Sequence, residues 1–186
     1  PLVSGAVIRF DGQISVFDPR SSASPCYNCL FPHDQPFEDV ACSTMGADWT
    51  QFRGPGGFGK TAEKGVPVKW SAKENIAWRT ELPGPGTSSP IVVDGRVYLT
   101  CYTGYGLEIG KGDMNELRRH LVCVDRANGK VLWTKVFEPQ LPEHRYEGEG
   151  AYHGYSSSTP ATDGERLYVF FGKSGVFCFD LDGKEL

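Results

Sequence analysis

Residues 88–102, SSPIVVDGRVYLTCY, align with residues 157–171, SSTPATDGERLYVFF, and residues 121–133, LVCVDRANGKVLW, align with residues 176–186, VFCFDLDGKEL. Self-similarity of this kind marks an architecture built from stacked copies of one supersecondary unit, because a single copy cannot bury its apolar faces alone. Each copy reads as four strands, in the first over residues 90–93, 97–102, 121–125 and 131–137. The alternation in RVYLTCY and RLYVFFG supports this reading. Asp94-Gly95 and Asp163-Gly164 turn the first strand pair of each copy, and Asn128-Gly129 and Asp182-Gly183 turn the last, all favourable hairpin dipeptides. A repeated four-stranded unit is a propeller blade. The expected fold class is therefore all-β: a partial β-propeller of about two four-stranded antiparallel blades, preceded by a short β-hairpin and a Cys-containing segment. ENIAWRTEL, residues 74–82, reads as the outer strand of one more blade, with Trp78 standing where Trp133 stands. Residues 74–186 are expected to be antiparallel β almost throughout, with no long helix in 88–102 or 157–180.

Composition narrows the partners. The 186 residues carry 23 Gly and 13 Pro, which predicts many turns and few long helices. A formal net charge of −4 gives no electrostatic reason to expect nucleic acid or an anionic membrane. No apolar run approaches the roughly 18 residues of a membrane helix, and no signal peptide is written in the first twenty residues. The sequence opens at Pro1 and stops inside a strand pattern at Leu186, so truncation at both ends is the expectation. Cys101, Cys123 and Cys178 lie in apolar strands and read as small buried hydrophobes. The redox compartment stays open. Trp49, Trp70, Trp78 and Trp133 read as core or blade-docking aromatics, since the charge balance lacks the basic surface of a base-stacking platform.

The amino-terminal strip reads differently. PLVSGAVIRF and QISVF are β-rich and flank Asp11-Gly12, a strong hairpin signal. PCYNCLFP follows. Cys26 and Cys29 bring two thiolates to one metal, but tetrahedral zinc needs four ligands and no second Cys-x-x-Cys follows. Weak, easily chelated zinc is expected there. PLVSGAVIRFDGQISVF…PCYNCLFP…CSTMG resembles the middle of the MoeB/ThiF/HesA family, E1-like enzymes that adenylate the C-terminus of a ubiquitin-like sulfur carrier. The resemblance implies that Cys26 and Cys29 are half of a structural zinc site. It also implies that Cys42 matches a thiol used by some members in thioester or persulfide chemistry. The family's nucleotide-binding glycine motif is absent, as is its second cysteine pair, so adenylation is not expected of this chain as it stands.

Residues 54–61, GPGGFGKT, satisfy the phosphate-loop pattern G-x-x-x-x-G-K-[ST]. That motif works only between a buried strand and a helix N-terminus. ADWTQFR is not such a strand, and Gly65 and Pro67 interrupt the expected helix. A Gly-rich surface lead-in is the expectation, with Lys60 solvated and no ATP bound.

The repeat itself carries a second resemblance. CVDRANGKVLW is similar to the A-x-D-x-x-T-G-K-x-x-W repeat of quinoprotein (PQQ-type) propellers and of BamB-like outer-membrane assembly factors. ADWTQFRGPGG…NIAWRTELPGPGTSSP resembles the mature start of secreted PQQ-like repeat proteins of planctomycete type. The resemblance implies structural roles for Asp125, Gly129, Lys130 and Trp133, and for Asp180, Gly183 and Lys184 in the next copy. The tryptophan would dock on the neighbouring blade and the glycine would close the turn. A quinoprotein dehydrogenase holds its quinone with calcium, a carboxylate, an amide, an Asp base and often a vicinal disulfide. No Cys-Cys pair exists here, and about two of roughly seven or eight blades are present, so the quinone is not expected.

The connection EPQLPEHRYEGEGAYHGYSSS, residues 138–158, gathers His144, Arg145, Tyr146, Glu147, Glu149, Tyr152 and His153. Their spacing has no fixed ligand geometry, so a solvated or ligand-contacting loop is expected rather than a metal site. The insertion TGYGLEIGKGDMNELRR, residues 103–119, is expected to elaborate the rim, with a short helix over 115–119. The boundaries expected are 1–45 for the E1-like strip, 46–73 for a Gly/Pro-rich lead-in and 74–186 for the incomplete propeller, with a seam near 44–47. The function expected is a non-catalytic binding or scaffold role through protein partners on the propeller face. The rival is a fragment of the adenylating enzyme. The propeller parent implies a periplasmic or secreted location and the E1-like parent a cytoplasmic one.

Overall fold

The structure is a computed structural model that describes residues 2–8, 11–17, 48–61, 68, 69, 71, 74–148 and 150–186, with the first two segments described at the level of backbone pairing. Cys26, Cys29, Cys42, Trp70 and Glu149 lie outside the described residues. The described chain is mostly β. Its sheets are antiparallel, and its one α-helix, α1 (Gly150–His153), is a single turn.

Strands β1 (Leu2–Ile8) and β2 (Asp11–Phe17) pair, and β2 pairs onward with β3 (Trp78–Glu81). The hairpin expected here is present, but its turn is not at Asp11-Gly12. Ile8 pairs with Asp11 and Val7 with Gly12, so both residues of that dipeptide lie within β2. The two registers differ by a slip of four residues, an even number, so a period-two sequence pattern fits both. Alternation alone does not choose between them.

The second sheet is a four-stranded meander, β4 (Ile91–Val93), β5 (Arg96–Thr103), β6 (Arg118–Asp125) and β7 (Val131–Phe137), in that spatial order. Asp94 and Gly95 take φ of 49° and 69°, as a two-residue turn with both central residues left-handed requires. The third sheet repeats it with β8 (Ala161–Thr162), β9 (Arg166–Phe170) and β10 (Val176–Asp180). Glu185 adds an isolated bridge to Phe179 where a fourth strand stands in the first meander.

Two boundaries differ from expectation. Residues 115–119 are not a helix: a 3-10 turn at Met114–Glu116 is capped by the Asp113 carboxylate, and β6 starts at Arg118. The β5–β6 ladder runs to the Thr103–Arg118 pair and draws the segment into the sheet. In the third sheet, Thr162 pairs with Leu167 and three residues, 163–165, lie between the strands where the first meander has two. The Asp163 carboxylate accepts from the Glu165 and Arg166 amides and from the Tyr168 hydroxyl, which widens the turn. Tyr168, which faces Ala161, is therefore the structural counterpart of Tyr98, which faces Ile91.

The core has two layers, one on each face of the first meander. Val92, Val97, Leu99, Cys101, Val122 and Val124 pack beneath Trp49, Trp78 and Leu82. On the other face Ile91, Val93, Tyr98, Leu121 and Cys123 meet Leu167, Val169, Phe171 and Phe179 of the third sheet. Each such fully buried aliphatic side chain contributes about 1.5–3 kcal/mol. Cys101 and Cys123 are free thiols at 0% exposure, and burial pushes both up to about 12, so they are neutral packing groups.

Candidate functional site: the loop-bearing end

Because consecutive strands alternate direction, the turns at 94–95 and 126–130 share one end of the sheets. The β5–β6 loop (104–117), the β7–β8 connection (138–160) and the segment 82–90 share the other. The two ends do different work.

At the turn end the repeated residues organise the joint between sheets. Gly129 has φ 78°, and a Cβ there would lie 2.5 Å from the Trp78 ring. Gly183 has φ 85°, and its Cβ would meet the Trp133 ring at 3.0 Å. Each tryptophan thus lies over the turn glycine of the following sheet. Trp78 Nε1 donates to the Arg126 carbonyl at 2.8 Å. The equivalent Leu181 carbonyl accepts instead from Arg96 Nη1 at 2.7 Å and the Tyr98 hydroxyl at 2.9 Å, and Arg96 Nη2 reaches Asp182 at 2.8 Å. Asp125 holds its turn by accepting from the Ala127 amide and the Asn128 side chain; Asp180 accepts from the Lys184 amide. The Lys130 and Lys184 carbonyls accept from the Asp125 and Asp180 amides.

At the loop end the centre is Arg119, 3% exposed at the start of β6. Its Nη2 pairs with Glu143 Oε1 at 2.7 Å, with both side chains about 95% buried. Its Nε donates to the Tyr155 carbonyl at 2.8 Å, and Nη1 reaches Ser174 Oγ at 3.4 Å. One guanidinium therefore joins β6, the β7–β8 connection and the turn after β9. Fork geometry suits this task better than an ammonium would. Around it, Tyr155 stacks on His144 with ring centroids 4.4 Å apart and meets Tyr102 edge-on at 5.5 Å, with Tyr105 and Tyr146 alongside. The Tyr155 hydroxyl donates to the His144 carbonyl and the Tyr102 hydroxyl to the Gly106 carbonyl. Gly104, at φ 84°, lets the loop pass where a Cβ would strike the Glu116 carbonyl. His120, 8% exposed, bonds Thr103 Oγ1 through Nε2 while Nδ1 has no partner, and burial lowers its pKa below the ordinary imidazole value.

Where the inner strands meet, the two Ser-rich copies bond each other. The Thr87 and Ser88 amides donate to the Ser156 carbonyl, and the Ser89 amide donates to Thr159 Oγ1. Trp49 and Val92 exchange both backbone bonds, and the Thr162 amide donates to the Thr50 carbonyl. The lead-in thus ties β4 to β8. Beside it opens a cleft of about 440 Å³ lined by Phe52, Thr87, His153, Ser157 and Thr159.

Of the residues singled out in the connection, His144 and Tyr146 join the aromatic cluster, while Arg145, Glu147, Tyr152 and His153 are exposed. Among the described residues no group of three or more His, Cys, Asp or Glu is placed to hold a metal. Residues 54–61 contain a 3-10 turn at Pro55–Gly57, and among the described residues 48–53 the one pairing is the isolated bridge at Trp49. The amides of Gly54, Gly57 and Gly59 are bonded to the carbonyls of Gln51, Gly54 and Arg53, so these three donors are used within the turn. Lys60 is exposed, yet it has a partner of its own rather than standing free in water. Sequence reasoning missed Arg119, Glu143 and Tyr155; the usable signal was an arginine inside an apolar strand, with tyrosines recurring in both loops.

The comparisons are of two kinds. Short stretches are similar to adenylyltransferase and sulfurtransferase MOCS3 of Culex quinquefasciatus, 48% identical over 40 residues, which is 22% of this chain and 9% of the relative. The same protein of Sus scrofa is 48% identical over 40 residues, 22% of this chain and 8% of the relative. The sulfur carrier protein adenylyltransferase of Thermus thermophilus is 49% identical over 39 residues, 19% of this chain and 14% of the relative. The chain thus spans about a tenth of the length of these curated relatives. A family model described as outer membrane protein assembly factor BamB matches residues 61–186. That is the larger part of the molecule, including β3 to β10, and the chain belongs to this BamB family.

Proposed function

We propose that β4–β7 and β8–β10 are neighbouring blades of a β-propeller, and that the chain is a non-catalytic scaffold that binds a protein partner through its loop-bearing end. The observation that carries this is a fixed platform with apolar tips. The buried Arg119–Glu143 pair and the tyrosine cluster hold two long loops, and those loops expose Leu107, Ile109, Leu141 and Tyr152. Loops fixed on a rigid sheet are where binding residues concentrate, and exposed apolar groups on fixed loops favour protein contact over catalysis. The family's description as an outer membrane protein assembly factor supports a protein partner of the cell envelope.

The E1-like strip is proposed to be a joined piece that ends near residues 44–47. Its similarity to adenylating enzymes covers only about 40 residues, and Cys26, Cys29 and Cys42 are offered as remnants of a zinc half-site and a thiol. Re-reading the gene across codons 40–50 tests the seam, which a continuous coding sequence would keep as a natural fusion.

The scaffold reading is tested by immobilising the chain, offering it a detergent extract of the cell envelope and repeating with Ile109→Asp/Leu141→Asp. A partner held by the parent chain and lost from the loop variant is the expected result. Equal capture by both, or ATP–pyrophosphate exchange dependent on a sulfur-carrier C-terminus, would overturn the reading.

A further inference from the structure

The cleft beside the lead-in draws on the same position of both repeat copies. Ile91 faces Tyr98 and Ala161 faces Tyr168, so Thr87, four residues before Ile91, is the counterpart of Ser157, four residues before Ala161. Both side chains line the cleft, together with Thr159, Phe52 and His153. Two of its hydroxyls are oriented from behind. Thr159 Oγ1 accepts from the Ser89 amide at 3.0 Å, which leaves its own hydrogen to donate. The Thr87 hydroxyl donates to the His153 carbonyl at 3.0 Å, which leaves its oxygen to accept. The Ser157 hydroxyl and the His153 ring have no partner among the described residues. Phe52 stands in a turn closed twice, by the Gly54 amide on the Gln51 carbonyl and by the Gln51 side chain on the Gly54 carbonyl. Trp49 and Thr50 pin that turn to β4 and β8, and the Phe52 ring is left 60% exposed.

We propose that this cleft binds a neutral saccharide, with the C–H face of a pyranose ring on Phe52 and its hydroxyls on Thr87, Ser157, Thr159 and His153. None of the five lining side chains is a carboxylate, an ammonium or a guanidinium, so a charged ligand would lose water here without gaining a counter-charge. A wholly apolar ligand would strand the hydroxyls instead. A sugar hydroxyl both donates and accepts, so it answers the donor left on Thr159 and the acceptor left on Thr87. The negative face of an aromatic ring attracts the weakly positive C–H groups on the flatter side of a pyranose. The volume of about 440 Å³ lies within the range of about 300–1,000 Å³ common to small-molecule sites. The apolar tips Leu107, Ile109 and Leu141 do not line the cleft, so this site and the protein-partner surface fail independently.

The test is saturation-transfer NMR on the full chain, with cellobiose and N,N′-diacetylchitobiose as probes titrated through the millimolar range. The expected result is saturable binding of at least one probe, with the strongest transfer to the C–H protons of one ring face. Phe52→Ala and Ser157→Ala, both at exposed positions, are each expected to weaken binding about fivefold, the size of one ring contact or one hydrogen bond, with the circular dichroism unchanged. Glucuronate, which carries a carboxylate, is expected to give no transfer. Ile109→Asp/Leu141→Asp is expected to bind the sugar as the parent does. No transfer from either disaccharide would overturn the proposal, as would binding indifferent to both Phe52→Ala and Ser157→Ala. Glucuronate bound as tightly as the neutral probes, or sugar lost with the loop-tip variant, would overturn it equally.

Discussion

Strand β6 reads RRHLVCVD and strand β10 reads VFCFD, yet the more polar of the two is the better buried. Arg119 and His120 are 3% and 8% exposed, while Val176 at the start of β10 is 69% exposed. The difference lies in the neighbours. β5 and β6 are covered on both faces, by Trp49, Trp78 and Leu82 on one side and by β9 and β10 on the other. β9 and β10 are covered on one face only. Burial in a stacked array is a property of position in the stack, and an arginine is retained inside where a carboxylate and two further acceptors meet it.

The largest break in that comparison should come from Arg119. Arg119→Met leaves the Glu143 carboxylate buried without a partner, at an expected cost of about 4 kcal/mol in urea unfolding. Arg119→Met/Glu143→Leu should recover much of that loss, because removing both charges also removes both desolvation costs. At the turn end, Trp133→Ala should cost about 3 kcal/mol, whereas Phe170→Ala at an exposed position should cost under about 1 kcal/mol. Equal losses would mean that the two faces are not different after all. Gly129→Ala should cost about 2 kcal/mol, since the left-handed backbone disfavours any Cβ and the Trp78 ring occupies its place.

A smaller effect follows from His120. Its folded pKa is depressed by burial, so its contribution to stability is fully present above the unfolded imidazole value near about 6.5. It is lost as pH falls through the lower folded value. The urea midpoint should therefore drop more between pH 7.5 and 5 in the parent chain than in His120→Asn; parallel curves would remove His120 from the account. The smallest effect is at the Gly-rich lead-in. Lys60→Ala should change stability by no more than ~0.5 kcal/mol, and calorimetric titration with ATP–Mg²⁺ should be flat with or without it. Binding that vanishes in the variant would restore the loop as a nucleotide site.

Much of the fold was legible because the repeat is written in side chains that need particular neighbours. Gly129 and Gly183 mark where Trp78 and Trp133 lie, and strand β7 is found where the apolar pattern puts it. The errors have local causes. The letters Asp-Gly at 163–164 match those at 94–95, but the Asp163 carboxylate captures two amides and Thr162 pairs with Leu167, two residues beyond the Glu165 that the letters imply. Asp11-Gly12 names a turn that sheet pairing overrides. The loop end was less legible, since Arg119, Glu143 and Tyr155 come from three segments and carry no spacing that links them. Only folding brings them within hydrogen-bond reach.

Two units of one repeat are stacked, and the first is closed on both faces. Native-state hydrogen exchange read by mass spectrometry measures this stacking most directly. Amides of β5 and β6 should exchange only with global unfolding, and those of β9 and β10 should exchange faster through local opening. Trp133→Ala should widen that gap by loosening the joint. Exchange in β9 and β10 as slow as in β5 and β6, or unmoved by Trp133→Ala, would contradict the stacked arrangement.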